Sequence, residues 1–138
     1  MTYKRLFVDS DILLDMLLSR NPYIVYTQLF LAESKKRNFI LNTSTLVIAN
    51  INYILAKKIG AIAAKENIKG LIKIVNVLPF ETDIIDLALS SNIVYFEDAI
   101  QSFIAERYKC EAIITRNIKD YKESTLPVLT AEQFLMTL

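Results

Sequence analysis

The chain has 138 residues, 53% of them hydrophobic, with 16 Lys and Arg against 15 Asp and Glu. That is the length of one domain able to bury a core, and a net charge of +1 leaves any nucleic-acid partner to a local basic patch. With no histidine and one cysteine, Ser-His-Asp and Cys-His catalysis, the common zinc sets and an intramolecular disulfide are all excluded.

Chemistry on this chain therefore rests on carboxylates, hydroxyls, amides, Lys, Arg or Tyr, and carboxylates suit oxygen-seeking Mg²⁺ or Mn²⁺. Mean hydropathy is high at +0.32, yet charges interrupt every apolar run well before the about 18–20 residues that span a bilayer. The opening Met1-Thr2-Tyr3-Lys4-Arg5 leads into an apolar run too short for a signal peptide. The expectation is a cytoplasmic protein with no membrane segment, in which Cys110 is a bystander in a reducing compartment.

Leu6-Phe7-Val8 reads as a short buried strand that stops at Asp9. From Asp11 onward Ile12, Leu13, Leu14, Met16, Leu17 and Leu18 give a helix with a wide buried face, carrying Asp15 within it. Asp9 thus stands at the carboxyl end of a strand, where open α/β sheets hold ligands; a helix cap at Asp9 or Ser10 accounts for one acid of the three. Arg20-Asn21-Pro22 breaks the chain, and a helix over 23–37 ends in Lys35-Lys36-Arg37, cations suited to its negative pole.

Phe39-Ile40-Leu41 predicts the second strand, and Thr43-Ser44-Thr45 offers caps for a helix running to Lys58 with Asn50 embedded in it. Gly60 separates that helix from one over 61–74, whose Lys65, Lys69 and Lys73 mark a solvated face. A third strand follows over 75–79. Thr82 is expected to cap a short helix over 83–89, and Tyr95-Phe96-Glu97-Asp98 opens another that reaches Tyr108. Acids in a first turn also suit the macrodipole. The fourth strand, Ala112-Ile113-Ile114-Thr115, ends in the polar run Arg116-Asn117-Ile118-Lys119-Asp120-Tyr121. Residues 126–129 make an edge-like fifth strand, because Pro127 cannot donate to a ladder, and Thr130 caps a last helix over 131–136.

Strands and helices alternate throughout. The fold class is α/β, a central parallel sheet of four to five strands flanked by helices on both faces, as one domain over 1–138. In such a sheet the strand carboxyl ends share one edge, which brings Asp9 towards Asn117 and Asp120, with Glu97 and Asp98 opening the helix just before the fourth strand. Acids converging without a cation raise one another's pKa, and a hard divalent ion relieves that repulsion.

Phe7-Val8-Asp9-Ser10-Asp11-Ile12-Leu13-Leu14-Asp15, Phe96-Glu97-Asp98-Ala99-Ile100-Gln101 and Ile113-Ile114-Thr115-Arg116-Asn117-Ile118-Lys119-Asp120-Tyr121 resemble, in order and spacing, the three signature blocks of the PIN-domain family. The likeness runs from about Lys4 to Phe134. It implies a three-layer PIN-like fold and a Mg²⁺- or Mn²⁺-dependent endoribonuclease acting on RNA, often the toxin of a VapC-type toxin–antitoxin pair, dimeric and met by a cognate antitoxin protein. By motif position the resemblance makes Asp9, Asp98 and Asp120 the metal ligands and catalytic acids, with Ser10, Asp11, Asn50, Glu97, Thr115 and Asn117 in support. Arg116, Lys119 and Arg20 are rim candidates for holding flanking phosphates; Arg116 is equally placed to pair with Asp120 or Glu97. The chain departs from the family at Asn50, where many members carry Glu; Glu97 or Asp11 are the residues able to compensate.

That departure motivates a second reading, a PIN-like domain that binds RNA or a protein without cutting. A third, more distant reading takes Asp9 as the acceptor of a phosphotransfer domain, on the strength of Asp9-Ser10-Asp11, but no Gly-rich phosphate loop accompanies it. The abundance of Ile and Leu also predicts apolar surface on the helices over 23–37 and 45–58, facing a second copy or an antitoxin.

Overall fold

The computed structural model describes residues 3–138; Met1 and Thr2, the head of the run read ahead of the first strand, lie outside the described residues. The first half runs β1 (Arg5–Val8), α1 (Ser10–Leu17), α2 (Ile24–Lys36), β2 (Ile40–Ser44), α3 (Thr45–Ile59), α4 (Ala61–Leu71) and β3 (Asn76–Leu78). The second runs α5 (Asp83–Leu89), α6 (Phe96–Arg107), β4 (Ala112–Ile114), a 3₁₀ turn (Ile118–Tyr121), β5 (Val128–Leu129) and α7 (Ala131–Leu135). All five strands are parallel, in the order β3-β2-β1-β4-β5. This is the parallel, helix-flanked sheet expected from the sequence.

Central β1 is apolar on both faces because both are covered: Leu6, Phe7 and Val8 are fully buried, with Phe7 in register between Asn42 and Ile113. At the far side of the core Phe134 of α7 meets Phe30 of α2 and Phe39 edge-on, with ring centroids 5.6 and 5.7 Å away. Aromatic burial of this kind contributes about 1.5–3 kcal/mol per side chain. Thr130 ties α7 down through a full capping box with Gln133.

β2 extends further than expected, through Asn42, Thr43 and Ser44 rather than ending at Leu41. Those polar residues sit in a buried strand because each finds a partner. Asn42 donates to the Leu6 carbonyl and Thr43 to the Val8 carbonyl, while Ser44 caps α3 by accepting from the Val47 amide. Thr82, by contrast, makes no capping hydrogen bond to α5. The α3–α4 corner turns on Gly60, whose φ of 89° is open to glycine and strained for other residues. Cys110 is buried, and burial pushes its thiol up to about 11, which fits a bystander.

The topology fixes where a site belongs. From β1 the chain steps outwards to β2 and β3, then returns past β1 to β4 and steps the other way to β5. The connections leaving β1 and β4 therefore diverge, and a crevice opens beyond their carboxyl ends.

Candidate active site

Asp9 ends β1 at that crevice. Its amide donates to the Ile114 carbonyl at 3.0 Å, and its carboxylate accepts from the Ser10 amide at 2.8 Å, so Asp9 does cap α1. The cap engages Oδ1. Oδ2 accepts from the hydroxyls of Thr115 at 2.9 Å and Tyr121 at 3.1 Å. Asp9 is only 6% exposed, and burial raises its pKa while the Ser10, Thr115 and Tyr121 hydrogen bonds oppose the rise.

Asp98, in the first turn of α6, and Asp120, in the 3₁₀ turn, line the same cleft of about 550 Å³ as Asp9, together with Ser10, Asn50, Glu97, Gln101 and Asn117. Among the described residues no Lys or Arg lines it, and none of the four acids forms an ion pair. Burial, and then the charges of Asp9 and Asp120, hold the Asp98 carboxyl up at about 7. Among the described residues no three acidic groups close into a ready-made metal cage; the acids stand around the cleft. Their chemistry still fits a hard cation, since every ligand offered is an oxygen and no resident cation balances them.

Several residues predicted for the site lie elsewhere. Asp11 does not line the cleft. One of its oxygens accepts from the Ile12 amide, and the other from the Arg116 amide at 2.9 Å and the Thr115 hydroxyl at 3.2 Å. Burial, then the Asp9 charge, lift it to about 6. Arg116 pairs with neither Asp120 nor Glu97: its guanidinium binds Asp15 at 2.8 and 3.1 Å and stacks on Tyr23. Arg20 binds Asp15 as well, at 2.8 Å. The two rim arginines are thus joined through a buried carboxylate, and none of the three lines the cleft. Lys119 is exposed on the 3₁₀ turn and forms no ion pair among the described residues.

Sequence reasoning missed the roles of three residues. Tyr121 is buried and donates to Asp9 from 112 positions away. Gln101 lines the cleft and accepts from Ser44 at 2.6 Å, a buried bond linking the start of α3 to α6. Tyr121 and Gln101 fall in the motif blocks, but the sequence assigns neither a role of its own. Asp15 is visible in the sequence as a third acid, yet its partners are remote in sequence or across a loop. Asn50 does reach the cleft, and its amide faces Glu97 Oε2 at 3.4 Å.

A family model described as a PIN domain matches residues 5–119. A ribonuclease VapC1 of Aquifex aeolicus is 27% identical over 139 residues, an alignment covering 97% of this chain and 95% of the relative. Among solved structures, FitAcB from Neisseria gonorrhoeae superposes with a TM-score of 0.71 at 12% identity, over 92% of this chain and 98% of its own. VapBC-1 from nontypeable Haemophilus influenzae gives 0.69 at 18% identity, over 93% and 98%. Mycobacterium tuberculosis VapC20, described as a sarcin-ricin loop cleaving toxin, gives 0.64 at 16%, over 78% and 86%.

Proposed function

The chain belongs to the PIN-domain family, and from that premise we propose that it is a Mg²⁺- or Mn²⁺-dependent endoribonuclease, the toxin of a toxin–antitoxin pair, acting as a single domain. The observation that carries this reading is the convergence of Asp9, Asp98, Asp120 and Glu97 on one cleft with no Lys or Arg among the described residues that line it. Asp9, Asp98 and Asp120 hold the metal. When bound, the ion supplies a more acidic water and offsets charge on the scissile phosphate.

The protein's own groups do the rest. Thr115 and Tyr121 fix the orientation of Asp9 through its Oδ2, and the Ser44–Gln101 bond holds the start of α3 against α6, the helix that carries Asp98. Asn50 directs its amide at Glu97, so Glu97 supplies the carboxylate at the corner where Asn50 has none; this favours catalysis over the binding-only reading that Asn50 suggests. Lys119 is the rim cation left free to meet a flanking phosphate, because Arg20 and Arg116 are held by Asp15. The exposed apolar side chains Val25 and Leu29 on α2 and Tyr53 and Ile54 on α3 support a second copy and an antitoxin as partners. No helix of the described residues is long and apolar enough to cross a membrane.

A panel of structured RNAs incubated with Mn²⁺, Mg²⁺ or EDTA tests the proposal. Discrete cutting is expected with either ion and none in EDTA. Cutting that persists in EDTA, or a folded protein that cuts nothing under any ion, would overturn it.

Tyr121→Phe isolates the orienting hydroxyl. It keeps the buried ring and removes one hydrogen bond to Asp9, so cleavage is expected to fall about ten- to a hundredfold. The melting temperature should move by only a few degrees, since one hydrogen bond contributes about 1 kcal/mol. Unchanged cleavage rates in this variant would remove Tyr121 from the site.

A further inference from the structure

We infer that the cavity beside the acidic cleft is a nucleobase subsite, taking the base of one nucleotide next to the scissile phosphate of a bound single-stranded RNA. The inference rests on the ribonuclease reading and adds to it the part of the substrate that this chain reads.

The cavity encloses about 410 Å³, space enough for a base. Asn117 lines both this cavity and the acidic cleft, so the two share a wall. A strand whose phosphate lies at Asp9 and Asp98 therefore has a neighbouring base within reach of the cavity.

The walls are suited to a flat, uncharged ring. Tyr23 and Tyr26 line the cavity and remain 41% and 40% exposed, and Tyr23 is held in place by the Arg116 guanidinium, 3.8 Å from its ring centroid. Aromatic faces that stay open to solvent beside a phosphate site are stacking platforms for bases. Charge argues against an anionic occupant. Among the described residues Arg116 is the one cation in the lining; Asp15 pairs both with it and with Arg20, and Glu132 brings a second carboxylate, so the local charges balance. A phosphate would therefore gain no net charge attraction here, whereas an uncharged base needs none. Thr27, Asn117 and Glu132 add the hydroxyl, amide and carboxylate that can hydrogen-bond a base edge and give preference among bases.

Tyr26→Ala tests the inference, with Tyr26→Phe as the variant that keeps the ring. Tyr26 is exposed and absent from the cleft, so both variants should fold and retain metal-dependent cutting. Two measurements are made. One is binding of short mixed-sequence RNA to the Asp9→Asn protein, with and without the Tyr26 changes, beside an RNA of the same length lacking bases. The other maps the cut sites of otherwise unaltered protein on a long RNA.

Tyr26→Ala is expected to weaken binding of the base-containing RNA about ten- to a hundredfold. It should leave binding of the abasic RNA alone and erase a base preference at one position beside the cut; Tyr26→Phe should restore both. Cutting with an unchanged map and unchanged affinity in Tyr26→Ala overturns the subsite, leaves the nuclease standing, and turns the cavity over to a protein partner. Equal weakening towards abasic RNA also overturns it, in favour of a backbone contact. Base-dependent binding through Tyr26 in a protein that never cuts would support the subsite while removing the nuclease reading.

Discussion

Replacing Asp9 with asparagine is expected to lower RNA cleavage by about a thousandfold or more while leaving the fold intact. The Asn side chain has the same shape and keeps an oxygen for the Ser10 amide at the head of α1; its NH2 takes the place of Oδ2, where the Thr115 and Tyr121 hydroxyls must turn to accept from it, and an uncharged amide fits where burial already opposes charge. The loss is electrostatic. A metal-activated step draws several kcal/mol from charge placed at the reacting centre, and each 1.36 kcal/mol is about tenfold in rate. Single-turnover cleavage in Mn²⁺ gives the rate, and a thermal melt gives the control. The Asp9→Asn protein should melt no lower than the parent, because the parent holds a buried carboxylate whose raised pKa marks its ionised form as disfavoured in the fold. Full activity in a folded Asp9→Asn protein would place the chemistry outside this cleft.

Asp15→Ala is expected to act in the opposite manner, costing stability first. Asp15 has no exposed surface and accepts from both Arg20 and Arg116. Breaking a buried ion pair on one side costs about 3–5 kcal/mol when the orphaned charge stays buried. Here the two guanidinium side chains are 34% and 29% exposed and can turn partly to water, which puts the cost near the lower end, about 3 kcal/mol. For a domain of this size that lowers the melting temperature by roughly 10 °C. The paired change Arg20→Ala with Arg116→Ala leaves Asp15 as the buried orphan and should cost more than Asp15→Ala. Removing the surface pair Lys69–Glu66 makes the contrast, since both side chains are mostly exposed and such pairs contribute about 0–1 kcal/mol. If Asp15→Ala melts with the parent, the ion triad is not a structural fastening.

The pattern of legibility follows from range. β1, α1 and the stop at Asp9 could be read because local apolar order carries them, and Thr130 because a cap is a short-range signal. Asp98 and Asp120 could be placed near Asp9 because a parallel sheet sends all strand carboxyl ends to one edge. The extension of β2 through Ser44 could not be read, since Asn42, Thr43 and Ser44 look like loop until their partners Leu6, Val8 and Gln101 are known. The fate of Arg116 was hidden in the same way. It stands close to Lys119 and Asp120 in sequence, but its partner is Asp15, across 101 positions. Acids and bases at one sheet edge can be listed from sequence, whereas which of them pair is decided by contacts between residues about a hundred positions apart.

The hydrogen bonds that complete Asp9 have a consequence for when the cleft is assembled. Thr115 and Tyr121 reach it across 106 and 112 positions, through the pairing of the first strand with β4. Contacts so far apart in the chain form late and together, because the loop between them must close before they reward it. Asp9 is thus synthesised more than a hundred residues before Thr115 and Tyr121, the groups that orient it. The cluster around Asp9 therefore assembles in one step, when β1 and β4 pair, and not by stages along the chain.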